Sequence, residues 1–301
     1  MRPTPPAPRP VRSLEAVSAD GSRVHTEVFG PDGAPAVVLS HGWTCSIAFW
    51  AAQIEDLARD HRVVAYDQRG HGGSPAAGPG GYSAEALADD LEAVLDATLA
   101  PGEQAVLAGH SMGGMTMMAA SARPSFREHA AAVLLCSTGA SRLVSDSLVV
   151  PLRAGRLRTG LTRRVLGARA PLGPVTPLSV RALRYGTMGP ATPKDRVRAC
   201  AEIVHACPRA ARVGWSAVLD TLDLELGVRE LTMPTAVLAG TADRLTPPVH
   251  ARRLAGWLPH CTDLTVLPGI GHMSPVEAPE AVNAAIRGLA AGHLKHAEGV
   301  A

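Results

Sequence analysis

The chain has 301 residues, of which 46% are hydrophobic and 19% charged, and its formal net charge is +2. This balance is typical of a soluble globular protein with one large or two modest domains, and it excludes a fibrous or wholly disordered chain. The weak positive charge, without an RNP, zinc-finger or heptad pattern, argues against nucleic-acid binding. The five cysteines have no CxxC spacing, which argues against a metal site or a disulfide framework.

The two ends of the chain differ in composition from the rest. The first ten residues contain five prolines and no apolar run, so they resemble neither a secretory signal nor a membrane span. We predict a disordered arm over residues 1–11 and a flexible, polar tail over 291–301. On this basis the protein is expected in the cytoplasm, without stable insertion into a membrane.

Eight segments are predicted to form strands. The first two alternate around the turn ADGS at 19–22 and indicate an antiparallel hairpin at one edge of a sheet. The other six are continuous apolar runs, which are typical of a parallel sheet covered by helices on both faces. These runs are AVVLSHG (36–42), RVVAYD (62–67), QAVLAGHS (104–111), AAVLLCST (131–138), PTAVLAG (234–240) and LTVLPG (264–269).

Amphipathic segments lie between the strands, with clear examples at 83–99 and 274–290. The alternation of strand and helix predicts a right-handed parallel sheet. Residues 141–232 interrupt this pattern, because they contain helical segments and no strong strand. We therefore predict an α/β core over 12–140 and 233–290. The helical cap over 141–232 is expected above the carboxyl ends of the strands, where open α/β sheets bind ligands.

The stretch GHSMG at 109–113 lies between a predicted strand and a predicted helix. A serine in a sharp strand-to-helix turn needs neighbours without a Cβ atom two positions away on each side, and Gly109 and Gly113 meet this need. We predict that Ser111 is a nucleophile and that the N–H of Met112 faces a developing oxyanion. The alternative is a glycine-rich loop in which Ser111 has no chemical role.

A serine hydroxyl needs a general base, and the base needs a carboxylate to orient it. Asp243 follows the fifth apolar run and His272 follows the sixth, so both lie beyond strand ends in the order Ser, Asp, His. The fourth run has no carboxylate after it until Asp146, which favours Asp243 as the acid. His110 precedes the nucleophile and is expected to point away from it and to pack or form hydrogen bonds.

The first apolar run ends in His41-Gly42-Trp43. The backbone N–H of Trp43 is the candidate for the second oxyanion donor. Its side chain can also line the substrate pocket, or it can only pack under a lid. The later stretch YDQRGHGGS at 66–74 is interpreted mainly as a structural turn with an internal ion pair between Asp67 and Arg69.

Five motifs together resemble the α/β-hydrolase superfamily. They are HGW (41–43), DQRGHGGS (67–74), GHSMGG (109–114), GTADRLTP (240–247) and GIGHMSPVEAPE (269–280). The resemblance spans about residues 12–290 and implies an eight-stranded, mostly parallel sheet with helices on both faces and a helical cap. It also implies a triad of Ser111, Asp243 and His272 and no cofactor, but it specifies the substrate poorly.

We expect a serine hydrolase that cleaves a carboxylic ester or lactone of small to medium apolar acyl group through an acyl-enzyme on Ser111. Acyl thioesterase action and the cofactor-free perhydrolase action of haloperoxidase-like family members remain alternatives. A non-hydrolytic ligand-binding or cyclase-type protein on the same fold is the alternative from another class. Epoxide hydrolases and haloalkane dehalogenases are disfavoured, since those relatives use an aspartate at the position of Ser111.

Residues 142–184 contain nine arginines and one acidic residue. Such a cap can attract an anionic substrate, a carrier-bound acyl group or a membrane surface. The alternative is that the arginine side chains lie along amphipathic helices and serve only packing and solubility.

Overall fold

The structure is a computed structural model that describes residues 9–78 and 80–294. The predicted arm lies outside these residues up to position 8, and the predicted tail lies outside them from position 295. Within them, the N–H of Val11 donates to the carbonyl of Val28, and the last helix extends to His293.

Eight strands of the described residues form one sheet. They are β1 (Arg12–Val17), β2 (Arg23–Phe29), β3 (Ala36–Ser40), β4 (Arg62–Tyr66), β5 (Ala105–His110), β6 (Ala130–Cys136), β7 (Thr235–Gly240) and β8 (Cys261–Leu267). Their order is β1-β2-β4-β3-β5-β6-β7-β8. Strands β1 and β2 form an antiparallel hairpin, and β2 is also antiparallel to β4. All other neighbouring pairs are parallel. This confirms the predicted fold class.

Each of the six apolar runs overlaps one of the strands β3 to β8. The last strand begins three residues before its predicted run, because β8 forms the edge of the sheet and its first residues are partly exposed and polar. Strands β3 and β5 are buried along their whole length. Continuous apolar sequence is therefore found where the sheet is covered on both faces.

Thirteen helices surround the sheet within the described residues, and a short 3-10 helix spans Ile47–Trp50. The helices are α1 (Ala51–Leu57), α2 (Ala84–Thr98), α3 (Met112–Ala120), α4 (Pro124–His129), α5 (Leu143–Asp146), α6 (Arg156–Leu166), α7 (Pro177–Thr187), α8 (Lys194–Ala206), α9 (Arg209–Thr221), α10 (Glu225–Arg229), α11 (Pro248–Trp257), α12 (Ser274–Glu277) and α13 (Pro279–His293). Helices α5 to α10 occupy the interval between β6 and β7.

The helix predicted over 274–290 forms two helices, α12 and α13. Pro279 has no N–H to donate, and its ring excludes the residue before it from the helical region, so the break falls at Ala278. The helix predicted over 83–99 forms as α2, and the Ser83 side chain accepts a hydrogen bond from the N–H of Ala86 at 3.1 Å.

Alternate residues of the central strands pack into two separate apolar layers. Val38 and Leu107 face the layer that contains Leu91 of α2. Their chain neighbours face the opposite layer, which contains residues of α1 and α13 such as Ile54 and Ile286. The period of two along each strand thus divides the core between the two faces of the sheet.

The prediction of an internal ion pair between Asp67 and Arg69 in the turn at 66–74 is wrong, because Arg69 pairs with Asp20 and Asp90 instead. Asp67 instead accepts hydrogen bonds from the backbone N–H groups of Ile47 at 2.7 Å and Gly73 at 2.8 Å. The side chain of Arg69 leaves the turn and reaches α2. Because the two oxygens of Asp67 are occupied by backbone donors, the carboxylate serves to shape the turn.

Arg69 is buried, and its guanidinium forms two hydrogen bonds with Asp90 of α2, at 2.7 and 2.5 Å. It also donates to the more exposed Asp20, which follows β1, at 2.8 Å. The carbonyl of Arg69 accepts from the indole N–H of Trp215 in α9 at 3.1 Å. This residue therefore connects the sheet edge, α2 and the inserted helices.

We expect Asp90→Ala to lower the free energy of unfolding by about 3 kcal/mol, because the buried guanidinium loses its main counterion. Asp89→Ala is the matched control, since it breaks a more exposed pair with Arg123 and should cost less than about 1 kcal/mol. Urea unfolding of both variants measures the difference. Equal losses would contradict the dependence on burial.

Candidate active site

Ser111 lies in the turn between the last residue of β5 and the first residue of α3. Its φ of 50° and ψ of −116° are seldom adopted by residues other than glycine and cost about 1–3 kcal/mol. The turn is held by β6 and by the loop that follows it. The N–H of Ser111 donates to the backbone carbonyl of Cys136 at 2.9 Å, and the Thr138 hydroxyl donates to the Ser111 carbonyl at 2.7 Å. No hydrogen bond within residues 9–78 and 80–294 engages the Ser111 hydroxyl.

Gly109 and Gly113 lie where backbone segments touch. A Cβ atom on Gly109 would collide with the carbonyl of Gly113, and a Cβ atom on Gly113 would collide with the carbonyl of Ser40. The two glycines therefore let α3 begin directly against the ends of β3 and β5. Their spacing around Ser111 is a packing requirement of the turn.

Asp243 follows β7 and His272 follows β8, and both are buried. The Nδ1 atom of His272 lies 2.9 Å from Oδ2 of Asp243. In the neutral ring, Nδ1 therefore carries the proton that the carboxylate accepts, and Nε2 keeps its lone pair. The carboxylate also accepts from the N–H groups of Leu245 and Thr246 and from the Thr246 hydroxyl, each at 2.8 Å.

The backbone of His272 is held from two sides. The side chain of His110 donates from Nε2 to the carbonyl of His272 at 2.8 Å, and the N–H of His272 donates to Thr187 at the end of α7 at 2.7 Å. The structure thus places His110 as a buried hydrogen-bonding residue, although it also reaches the cavity that contains Ser111.

Trp43 and Met112 lie beside each other at the end of the sheet. Ser40 of β3 pairs with Gly109 of β5. Trp43 comes three residues after Ser40, and Met112 comes three residues after Gly109. Met112 is the first residue of α3, where a helix leaves its N–H groups without internal acceptors. In the described part of the chain, no protein acceptor engages the N–H of Trp43 or of Met112. Trp43 lines the cavity that contains Ser111, whereas Met112 is buried and is not among the residues that line it, and the role of both N–H groups as oxyanion donors stays a prediction.

The loop that carries Trp43 is fixed by two buried histidines. The N–H of Thr44, which has a φ of 64°, donates to Nε2 of His71 at 3.1 Å. The N–H of Gln68 donates to Nε2 of His41 at 3.0 Å. Burial lowers the pKa of His41 to about 4 and the pKa of His71 to about 3, so both rings stay neutral and accept these bonds.

Ser111 and His272 line one cavity of about 310 Å³. Its other walls come from the core loops and from the inserted helices, and they are mainly aliphatic, including Met115, Leu143, Val149, Leu183, Leu219 and Leu245. Trp43 lines the same cavity, and its indole N–H donates to the carbonyl of Arg212 in α9 at 3.1 Å. The structure therefore places Trp43 both in the pocket wall and in contact with the cap.

A family model for the "alpha/beta hydrolase fold" matches residues 35–279. The chain belongs to this family. It is 32% identical to "Putative carbamate hydrolase RutD" of Variovorax paradoxus over 256 residues, which cover 84% of this chain and 90% of that protein. It is 26% identical to 3-oxoadipate enol-lactonase 2 of Acinetobacter baylyi over 279 residues, or 91% and 96% of the two chains. The esterase RhEst1 from Rhodococcus sp. ECU1013 superposes with a TM-score of 0.77 at 25% identity, covering 93% of this chain and 99% of the esterase.

These similarities confirm the resemblance to the α/β-hydrolase superfamily and identify the chain as a hydrolase. In the part of the hydrolase that the structure describes, no group of three His, Cys, Asp or Glu side chains could hold a metal ion. None of its described helices is long and apolar enough to span a bilayer. The expected lack of a cofactor and the cytoplasmic location stay predictions.

The arginines of the cap point mostly outward. Of the nine between residues 142 and 184, seven are exposed, while Arg158 is buried and donates to the carbonyl of Ser145. Arg212 is the arginine that lines the cavity, and its guanidinium donates to the carbonyls of Ala168 and Ala170. Attraction of an anionic or carrier-bound substrate by the cap stays a prediction.

Glu277 is a buried carboxylate that the sequence reasoning left without a role. It accepts from Gly189 N–H at 2.7 Å and from the Thr192 hydroxyl at 2.6 Å, both between α7 and α8. It also accepts from the N–H groups of Gly271 at 3.1 Å and Met273 at 3.2 Å. Glu277 thus joins the cap to the loop of His272. The sequence offered one signal for this role, which is the position of this acidic residue five residues after the predicted base.

We expect Glu277→Gln to lower the free energy of unfolding by about 2 kcal/mol, because its NH₂ group cannot accept from these backbone donors. The amides of Gly271 and Met273 should exchange with deuterium faster than in the unmodified chain. Glu280→Gln, at an exposed position three residues later, is the control. Unchanged exchange at both amides would contradict the proposed hold on the loop.

The neutral state of His71 predicts a dependence of stability on pH. Unfolded, the imidazole has a pKa near 6.5, so the unfolded chain binds a proton that the folded chain does not bind until about pH 3. The contribution to stability is complete above about pH 6.5 and is lost as the pH falls toward 3. His71→Gln keeps an acceptor for Thr44 but does not titrate.

Urea unfolding between about pH 6.5 and pH 5 should therefore show a shallower loss of stability in His71→Gln, by up to about 1.4 kcal/mol per pH unit. The exposed His260→Gln controls for the removal of one histidine. The same slope in His71→Gln and in the unmodified hydrolase would refute the assignment.

Proposed function

We propose that this hydrolase cleaves a carboxylic ester or lactone of small to medium apolar acyl group through an acyl-enzyme on Ser111. The observation that carries the proposal is one cavity lined by both Ser111, in its strained turn, and His272, whose Nδ1 is bound by Asp243. Acyl transfer to a serine requires a nucleophile, a base and a group that orients the base. These three residues supply the required chemistry.

In the proposed first half-reaction, Nε2 of His272 takes the proton of the Ser111 hydroxyl while Oγ attacks the carbonyl carbon of the substrate. The carbonyl oxygen becomes an oxyanion and receives hydrogen bonds from the N–H groups of Trp43 and Met112. Asp243 stabilises the imidazolium. The carbon–oxygen bond then breaks, and the departing alkoxide takes the proton from His272.

In the second half-reaction, water replaces the alcohol. His272 removes a proton from the water as its oxygen attacks the acyl carbon, and the same N–H groups hold the second oxyanion. Collapse releases the carboxylic acid and returns the proton to Ser111, so one water is added across the bond. A lactone follows the same steps, and its hydroxyl remains on the released acid.

The nature of the cavity supports an apolar acyl group. Its walls are mainly aliphatic, and the guanidinium of Arg212 is engaged by backbone carbonyls of the cap. An acyl chain of this kind gains free energy from burial in proportion to its apolar area. The similarity to an enol-lactonase and to an esterase supports ester and lactone bonds as targets.

We expect a fluorophosphonate probe to label the hydrolase at Ser111, and Ser111→Ala to lose both labelling and ester turnover. Asp243→Asn should keep the fold and lower kcat by about 10⁴-fold, because the imidazole loses the acceptor that fixes its tautomer. A panel of neutral esters of increasing chain length measures turnover and defines the preferred acyl group.

Ser216→Ala is the matched control, since Ser216 also lines the cavity but donates to Val213 at 2.9 Å on its own helix. It should retain labelling and turnover. Undiminished ester turnover in Ser111→Ala would refute the acyl-enzyme. Tight binding of esters by the unmodified chain without product would instead favour a non-hydrolytic binding protein.

A further inference from the structure

The cap contains a long stretch without acidic residues. Residues 147–194 hold eight arginines and one lysine, but no aspartate or glutamate. Six of these arginines are exposed: Arg153, Arg156, Arg163, Arg164, Arg169 and Arg181. Among the described residues, only Arg163 of the six has a carboxylate partner, Asp220 in α9. The surface of this stretch is therefore strongly positive.

The same stretch carries most of the exposed large hydrophobic side chains. Seven of the eleven in the described chain lie within residues 148–185, at Leu148, Leu152, Leu157, Val165, Leu172, Leu178 and Tyr185. Single exposed apolar residues are ordinary, but their concentration in one segment indicates an interaction site. We call the exposed side chains of residues 148–185 the cap surface.

Two helices connect the cap surface to the cavity. On α6, Leu157, Leu161 and Val165 recur every fourth residue and share one face, and on α7 the same spacing relates Leu178 and Ala182. Val165 and Ala182 line the cavity. Leu157 and Leu178, at the other ends of these faces, are 71% and 76% exposed. Each helix therefore has an apolar face that runs from solvent to the cavity.

We propose that the cap surface docks on an anionic lipid surface. Its arginines contact lipid phosphates, while Leu157 and Leu178 enter the boundary between headgroups and acyl chains, as amphipathic helices do at an interface. An apolar ester then passes from the lipid to the cavity along the faces of α6 and α7. This delivery rests on the proposed function, whereas the docking itself does not.

The arrangement of the side chains favours lipid over an acidic protein as the partner. A protein partner binds through a continuous, closely packed patch with a core depleted of charge. Here exposed leucines alternate with exposed arginines along the chain, as in LRAGRL at 152–157. A lipid layer deforms around such protruding side chains and supplies phosphates between them.

The test measures cosedimentation of the Ser111→Ala chain with vesicles of equal parts phosphatidylglycerol and phosphatidylcholine, so that turnover plays no part. We expect binding to these vesicles, little binding to pure phosphatidylcholine, and release in about 1 M NaCl, where the screening length falls to about 3 Å. Joint substitution of Arg156, Arg164 and Arg181 by Gln should weaken partitioning about 100-fold, at about fivefold per charge.

Two control variants carry the same kinds of substitution at residues outside the cap surface. Joint substitution of the exposed Arg23, Arg59 and Arg252 by Gln removes the same net charge outside the cap surface and should leave binding nearly unchanged. Leu226→Ser, at a residue 79% exposed in α10, is the control for Leu178→Ser, which should weaken binding.

Failure to bind the anionic vesicles, or equal loss of binding in both arginine triples, would overturn the proposal. Sedimentation velocity of Leu157→Ser and Leu178→Ser provides a further discrimination. A dimer that these changes dissociate, without any effect on vesicle binding, would assign the cap surface to a second copy of the chain. Binding of an acidic carrier protein, lost in the cap triple without a loss of vesicle binding, would assign it to that partner.

Discussion

Close contact between the backbone of α3 and the ends of β3 and β5 is the constraint on which the candidate site depends. Gly113 touches the carbonyl of Ser40, and Gly109 touches the carbonyl of Gly113, so a methyl group at either glycine would push α3 away from the sheet. The contact holds Ser111 at positive φ and brings the first N–H of α3 beside the loop of Trp43. The strain at the serine and the position of the first N–H of α3 are thus two results of the same packing.

His272 depends on both parts of the molecule in a different way. Asp243 orients its ring from the core, while its backbone is bound by His110 of β5 and by Thr187 at the end of α7. Glu277 adds a second connection between the cap and the same loop. The inserted helices therefore cover the cavity and also hold the loop of the predicted base, so the cap and the core are joined at this point.

Charge in the cap lies mostly on its outside, whereas its cavity wall is mainly apolar. Arg212 lines the cavity, but its guanidinium donates to backbone carbonyls of the cap, and the cavity wall is mainly aliphatic. Most of the other cap arginines stand at the surface among exposed leucines, whereas Arg158 is buried. An apolar cavity with a basic exterior suits an apolar ester that is concentrated near anionic groups. The cavity favours the apolar ester, and the exposed arginines attract the anionic groups around it.

The sequence by itself determined the strands, the inserted helices and the order of Ser111, Asp243 and His272. These follow from local pattern, since continuous apolar runs have to be covered on both faces and a serine between glycines suits one kind of turn. Tertiary structure alone decided that Arg69 pairs with Asp90 and that Glu277 receives donors from the cap. Both choices depend on which distant groups meet when helices pack on the sheet. Local periodicity specifies the face on which a side chain lies but not the partner that it finds there.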